Sequence, residues 1–318
     1  MGGILLYAEK DNLAFDLAPK ALEMAKGLNV ELSALVLGQD AQARAAKYFA
    51  YGVTKVYANN IDLSAVFDCK ISADALAQAV KNIQADVVMC VASKRGRVVA
   101  AQLAQALGAA CATNVLDVKI ENGHPVTVRY GLGGATMIAE QMESAKKVIA
   151  VLPQRFENTA AAAAGQVIAL DIKADKSALT MVEKAERKRE AVDIENAKVL
   201  VCVGKGLKKK EDLTYIQEIA SLVKGEVGCT REISSTLGWL AEDRLVGMSG
   251  KRCKPTLVFS LGISGQNQYT AGILNAKVSV AVNNDPNAPI FKVSDYGIAE
   301  DMYKVMPKLI EKLKQMKA

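Results

Sequence analysis

An apolar run in the C-terminal half of the chain leads into a loop of small and polar residues, LVFSLGISGQNQYTAGI at residues 257–273. The run, a predicted buried strand, ends at Gly262, and Ser264, Gly265 and a polar stretch follow. Glycines let a backbone come close to a ligand, and amide N–H groups at the start of a helix after Gly265 would form an anion site. The stretch does not contain the G-x-x-x-x-G-K-[ST] phosphate loop. It therefore predicts a site for a polar, anionic ligand of another kind.

Three more loops are predicted to share an edge with this one, because ligands of open parallel sheets bind beyond the carboxyl ends of the strands. They are GKGLKK, GCTRE and NNDPNAPI, which begin at residues 204, 228 and 283. The polar side chains of the four loops are Lys205, Thr230, Arg231, Ser264, Gln268, Asn283 and Asp285. Arg231 can pair with a phosphate or with a ring that carries negative charge. The set suits a dinucleotide diphosphate beside a polar heterocycle, although tight turns without a ligand would explain the glycines equally well.

Side chains for acid–base or metal chemistry are scarce. The chain has one histidine, His124 in a predicted turn, so it offers neither a Ser-His-Asp triad nor an H-E-x-x-H zinc site. Its six cysteines form no C-x-x-C pair, so we expect reduced core thiols, a cytoplasmic location and no protein metal site. They are Cys69, Cys90, Cys111, Cys202, Cys229 and Cys253. We therefore expect a bound cofactor to supply the chemistry.

The composition is that of a soluble protein with two domains, at 318 residues, 51% hydrophobic and 23% charged. Aromatic residues make up only 5%, so the cores must consist of Ala, Val, Leu and Ile. The net charge of +6 is spread over interleaved acids and bases, which favours a solvated surface over nucleic-acid binding. The sequence has no run of about 20 apolar residues for a membrane span, and its N-terminus does not resemble a secretory signal.

Strands and helices alternate through the first third of the chain, which predicts a parallel sheet covered on both faces. One helix is predicted over residues 15–28, with Pro19 near its start. The pattern of residues 115–153 predicts strands and turns that extend the same sheet in an antiparallel arrangement. A charged stretch without a full apolar stripe then predicts a linker near residues 186–196.

After this linker the alternation restarts, with an amphipathic helix whose apolar face is Leu213, Ile216, Ile219, Ala220 and Val223. The predicted fold class is α/β, with two doubly wound domains and mainly parallel sheets. We expect an N-terminal domain over residues 1–190 and a C-terminal domain over residues 191–318, which carries the predicted site.

The order of several segments resembles a known family. VGKGLKKKEDL, EVGCTRE, RLVGMSGK, LVFSLGISGQNQYTAG and NNDPNAPIFKVSDYGI together are similar to the C-terminal domain of electron transfer flavoprotein alpha subunits. SKRGRVVAAQLAQALGA and RYGLGGATMIAEQ resemble the same family, especially its branch linked to anaerobic carnitine and acyl-CoA metabolism. The resemblance covers nearly the whole chain.

The resemblance implies one FAD in the C-terminal domain and a heterodimer with an electron transfer flavoprotein beta subunit, for which the N-terminal domain would be a docking scaffold. It also implies an acyl-CoA dehydrogenase or a similar redox partner. By resemblance, Arg231 lies over the flavin and Ser249 offers its hydroxyl to flavin N5. The remaining implied positions are Ser264, Gly265 and Gln268 at the flavin and diphosphate, Lys205 at the diphosphate, Asn283 and Asp301 at the adenosine, and Thr230 as a neighbour.

Two residues depart from the family pattern. Tyr269 stands where the family usually has a histidine aimed at the flavin C2=O, and Met248 stands where it often has glutamine. Tyrosine can donate one hydrogen bond but cannot become a cation at neutral pH. We therefore expect weaker stabilisation of negative charge on the reduced flavin than in relatives that carry the histidine.

The leading hypothesis is an electron carrier that accepts electrons at FAD from a dehydrogenase, acyl-CoA- or NADH-linked, and passes them on. Some anaerobic relatives bifurcate electrons with a second FAD in the beta subunit, and this chain alone does not decide between the two. One alternative is an NAD(P)-binding dehydrogenase subunit without flavin, which would need a general acid or base near the site. The other is a basic nucleotide- or RNA-binding regulator, whose binding would depend strongly on salt.

Overall fold

The computed structural model describes residues 2–61, 68–134, 136–153, 156, 161–173, 179, 182–183 and 192–316. The chain divides into two compact units, Met1–Lys184 and Ala185–Ala318. The predicted boundary between residues 190 and 191 lies outside the described residues.

The described part of the N-terminal unit forms a nine-stranded sheet in the order β7-β6-β5-β8-β4-β1-β2-β3-β9. Its strands are β1 (Ile4–Tyr7), β2 (Leu32–Leu37), β3 (Lys55–Asn59), β4 (Val87–Val91), β5 (Ala110–Glu121), β6 (His124–Gly131), β7 (Thr136–Gln141), β8 (Lys147–Val151) and β9 (Gln166–Ala169). Its helices are α1 (Asp11–Leu28), α2 (Ala41–Ala45), α3 (Cys69–Ile83) and α4 (Lys94–Leu107). The β5–β6 and β6–β7 pairs are antiparallel and the other pairs are parallel, so the predicted antiparallel extension is confirmed.

Helix α1 corrects one expectation. It begins at Asp11, so Pro19 lies in its interior and not near its start. A proline there removes the hydrogen bond to the carbonyl of Phe15. Leu17 and Ala18 are buried beside it, and this packing maintains the helix. Sequence reasoning had also given no strand to the residues of β9, which pairs in parallel with β3.

The C-terminal unit contains five described strands, all parallel, in the order β11-β10-β12-β13-β14. They are β10 (Val199–Val203), β11 (Glu226–Cys229), β12 (Leu257–Leu261), β13 (Val278–Asn283) and β14 (Tyr296–Ala299), and the helices are α5 (Leu213–Leu222), α6 (Asn267–Thr270) and α7 (Met302–Gln315). The order of the strands reverses between β10 and β12. In open α/β sheets, ligands bind at the carboxyl ends of the strands on either side of such a reversal.

Two cores cover the faces of this sheet. Ile216 and Ile219 of α5 pack with Met306 and Ile310 of α7 on one face. The predicted apolar face of α5 is confirmed except for Val223, which lies after the end of the helix. The other face is covered by a cluster that includes Ile194, Ile263, Tyr269 and Ile290. Among the described residues, no helix is long and apolar enough to cross a membrane.

The cysteines are free thiols, as expected. Cys90, Cys202, Cys229 and Cys253 are buried, and burial raises the pKa of the Cys90 thiol to about 12. These four thiols are inert packing groups because a thiol reacts as its thiolate. Cys111 is exposed, so the expectation of core thiols does not hold for every cysteine.

A polar pair is buried in the second core. Tyr269 is 6% exposed and Ser260 is 1% exposed, and their hydroxyl oxygens lie 2.8 Å apart. The Cys202 thiol also lies within hydrogen-bond reach of the phenol. Burial raises the pKa of Tyr269 well above its usual value of 10, so the phenol remains neutral.

We expect Tyr269→Phe to lower the free energy of unfolding by about 1–3 kcal/mol, because it leaves the buried Ser260 hydroxyl without this partner. In a Ser260→Ala background the same change should cost less, and chemical denaturation of the four proteins measures the difference. Tyr215→Phe on α5 is the matched control, since this tyrosine is 38% exposed. Equal effects of Tyr269→Phe and Tyr215→Phe would contradict the prediction.

Candidate functional site

Apart from Tyr269, the predicted site residues lie at one edge of the C-terminal sheet. Because its strands are parallel, the loops after their carboxyl ends meet there. We call this the carboxyl-end edge, and it comprises residues 204–209, 230–231, 246–251, 262–268, 283–288 and 300–303. Of the polar side chains singled out from the sequence, those exposed on it are Lys205, Arg231, Ser249, Ser264, Gln268 and Asp285.

Arg231 and Ser249 form the central contact of this edge. Nη2 of Arg231 donates a hydrogen bond to Oγ of Ser249. A guanidinium has only donors, so the serine oxygen must accept and its own hydrogen is available to another acceptor. This pair presents a cation and a hydroxyl donor at the surface.

The segment that carries Ser249 is fixed by backbone hydrogen bonds. The Val246 amide donates to the Cys229 carbonyl at 2.9 Å, which holds the segment beside the end of β11. The Met248 amide donates to the Gln268 carbonyl at 2.8 Å. These bonds hold the segment of Ser249 beside Gln268, although the two residues are far apart in the sequence.

Thr230 has an unusual hydroxyl. Its Oγ1 is buried and has no hydrogen-bond partner within the described residues, although its backbone carbonyl accepts from the Ile233 amide at 3.1 Å. A buried hydroxyl without a partner costs about 1–3 kcal/mol. A ligand with a hydrogen-bonding group at this position would remove that cost.

Asn283 and Asp301 brace the loops of the edge. Nδ2 of Asn283 donates to the Ile263 carbonyl at 2.8 Å, and its Oδ1 accepts from the Asp285 amide at 2.9 Å. Oδ1 of Asp301 accepts from the Tyr303 amide at 2.9 Å and so caps α7. The role of these two residues toward the adenosine stays a prediction: Asn283 is 9% exposed, and Oδ2 of Asp301 lies 3.9 Å from Nζ of Lys208.

The glycines of the loop after β12 are required by packing within the chain. Gly262 has φ +63, and a Cβ atom there would lie 2.5 Å from Sδ of Met302. Gly265 has φ +88, and its Cβ would lie 2.2 Å from the amide nitrogen of Ile290. These positions require glycine because protein loops approach one another, and this packing gives no evidence of close approach by a ligand. Helix α6 has four residues, too few for the expected anion site at a helix start.

Tyr269 lies apart from the exposed side chains of the carboxyl-end edge. Its phenol points into the core toward Ser260, so this arrangement does not support the expectation that Tyr269 donates to the flavin C2=O. Met248 is 37% exposed next to Ser249, and its side chain brings no donor there.

Sequence reasoning missed Tyr303. Its phenolic oxygen accepts from the Lys208 amide at 2.8 Å and lies 2.6 Å from Oδ2 of Asp212. The sequence offers one signal for this role: Tyr303 comes two residues after the helix-capping Asp301 and lies next to a lysine-rich loop.

The donors of the edge fit a dinucleotide such as FAD. Lys205 and Arg231 match negative charge, and the hydroxyls of Thr230 and Ser249 can each make a further hydrogen bond. Among the described residues, no group of histidine, cysteine, aspartate or glutamate side chains could hold a metal ion.

Comparison with known proteins agrees with this fit. Residues 193–274 match the family model described as the electron transfer flavoprotein FAD-binding domain, and residues 5–175 match the electron transfer flavoprotein domain. The electron transfer flavoprotein subunit alpha of Clostridium acetobutylicum is 32% identical over 330 residues, which cover 98% of this chain and 97% of the relative.

Two further relatives carry other names. The lactate dehydrogenase (NAD(+),ferredoxin) subunit LctC of Acetobacterium woodii is 30% identical over 94% of this chain and 72% of its own length. Protein FixB of Salmonella typhimurium is 30% identical over 74% of this chain and 77% of its own length. The crystal structure of Acinetobacter baumannii MurG matches 99% of this chain and 92% of that protein at 13% identity, but its TM-score of 0.33 carries no argument. The chain therefore belongs to the electron transfer flavoprotein alpha subunit family, and its C-terminal unit contains that family's FAD-binding domain.

Proposed function

We propose that this chain holds one FAD at the carboxyl-end edge and transfers electrons from a dehydrogenase to an acceptor, as half of a heterodimer with an electron transfer flavoprotein beta subunit. The exposed Arg231–Ser249 pair within an FAD-binding domain carries the proposal. When bound, FAD supplies the electron-accepting chemistry, which the side chains of this edge do not provide.

Arg231 and Ser249 would act together on the flavin ring. The guanidinium engages the serine oxygen, and the serine hydrogen is then free to donate to flavin N5. The charge of Arg231 favours the negative charge that the ring acquires on reduction. The two residues would therefore set both the orientation and the potential of the cofactor.

The rest of FAD would extend across the switch between β10 and β12. Lys205 follows β10 and would neutralise the diphosphate, with Ser264, Gly265 and Gln268 on the neighbouring loop. Thr230 Oγ1 would gain a partner. Asn283, the last residue of β13, and Asp301, after β14, would hold the adenosine.

The proposal also includes the redox partners. An acyl-CoA dehydrogenase or a similar enzyme would be the donor, and the N-terminal unit would dock the beta subunit. The name of LctC joins NAD(+) and ferredoxin to one lactate dehydrogenase. It supports a second candidate, in which this chain works inside a bifurcating complex with a second FAD in the beta subunit.

The first test is the visible absorption spectrum of the chain coexpressed with its beta-subunit candidate. We expect flavin bands and release of FAD on denaturation. One FAD per heterodimer indicates a simple carrier, and two indicate the bifurcating arrangement. A flavin-free heterodimer would refute the proposal.

The second test removes the charge of Arg231. We expect Arg231→Gln to lower the midpoint potential of the first one-electron reduction of the flavin by about 60–130 mV, the equivalent of a charged hydrogen bond worth ~1.5–3 kcal/mol. Lys277→Gln is the matched control, since it removes one exposed positive charge next to the amino end of β13, at the opposite edge. Potentiometric titration of both variants and the parent heterodimer measures the shifts. Equal shifts for the two variants would exclude a local role for Arg231.

A further inference from the structure

The phenol of Tyr303 links the start of α7 to the segment that follows β10. It donates to Oδ2 of Asp212 at 2.6 Å and accepts from the Lys208 amide at 2.8 Å. Burial and the Asp212 carboxylate raise the pKa of Tyr303, so the phenol keeps the proton that it donates. The same oxygen therefore satisfies a carboxylate and a backbone amide.

The first turn of α7 makes further contacts with Lys208. Nζ of Lys208 lies 5.1 Å from the centroid of the Tyr303 ring, in cation–π range. It also lies 3.9 Å from Oδ2 of Asp301, whose Oδ1 caps the Tyr303 amide. The backbone and the side chain of Lys208 are both held by this turn.

Lys208 ends the loop that carries Lys205. Directly after Lys205, the Gly206 amide donates to the Gly262 carbonyl at 3.0 Å. The Leu207 side chain is 2% exposed in the core, and its amide donates to the Gly204 carbonyl at 3.1 Å. Lys205 is exposed between Gly206 and Gly204, whose amide donates to the Leu261 carbonyl at 3.0 Å, and Tyr303 fixes the far end of the loop at Lys208.

We propose that Tyr303 is a positioning residue for FAD: its hydroxyl holds the loop over residues 204–208 in the shape that presents Lys205 to the diphosphate. The inference rests on the proposed function, since it takes the diphosphate to lie at Lys205. A loop that is already ordered loses less conformational entropy when its ligand binds. The hydroxyl would thus contribute to FAD affinity without touching the cofactor.

The test is Tyr303→Phe in the holo heterodimer, a change that keeps the ring and removes only the oxygen. We expect the dissociation constant of FAD, measured from the fluorescence of released flavin on dilution, to rise about 3- to 10-fold. The midpoint potential of the flavin should remain unchanged, because the hydroxyl acts at the diphosphate end. Tyr215→Phe, an exposed tyrosine of α5, is the matched control and should leave both quantities at the parent values.

A double-mutant cycle with Lys205→Ala separates positioning from general stability. If Tyr303 acts through Lys205, Tyr303→Phe should change FAD affinity by less than 2-fold in the Lys205→Ala background. Full additivity, or a lower melting temperature with an unchanged FAD dissociation constant, would overturn the inference. Neither result affects the proposed function, which fails only if the parent heterodimer itself contains no FAD.

Discussion

The close approach of Gly206 and Gly262 is the contact on which the C-terminal site depends. The Gly206 amide bonds to the Gly262 carbonyl, and a Cβ on Gly206 would lie 2.6 Å from the Gly262 Cα. The two loops leave neighbouring strands at the point where the strand order reverses, and this bond holds them together there. Met302 closes the same contact from the start of α7. Three elements therefore meet where Lys205 and Ser264 are presented.

The polar side chains of the carboxyl-end edge are of two kinds: some fix the loops by hydrogen bonds, and others are exposed and available to a ligand. Asn283 and Asp301 use one side-chain atom or more on neighbouring amides and carbonyls, and these bonds fix the loops. Lys205, Arg231 and Ser249 are exposed and have at most one partner among the hydrogen bonds of the described residues. Such a division suits a large cofactor, because rigid loops lower the entropic cost of holding it while the free donors select it.

The sequence alone was sufficient for much of this architecture. Alternating strands and helices predicted parallel sheets in both units, and the rule for carboxyl ends of parallel strands brought Lys205, Arg231 and Ser264 to one edge. Local patterns could not predict contacts between distant segments. They placed Pro19 at a helix start, because the packing that tolerates an interior proline is not local. They also assigned Gly262 and Gly265 to ligand approach, whereas Met302 and Ile290 explain those glycines.

The buried position of Tyr269 has a consequence for how protons accompany electrons. A side chain that titrates near neutrality beside a flavin can take up a proton when the ring gains charge, and it then makes the potential depend on pH. The Tyr269 phenol is sealed against Ser260 with a pKa well above 10, so it stays neutral through any such cycle. At this position the chain therefore offers no side chain that titrates near neutral pH.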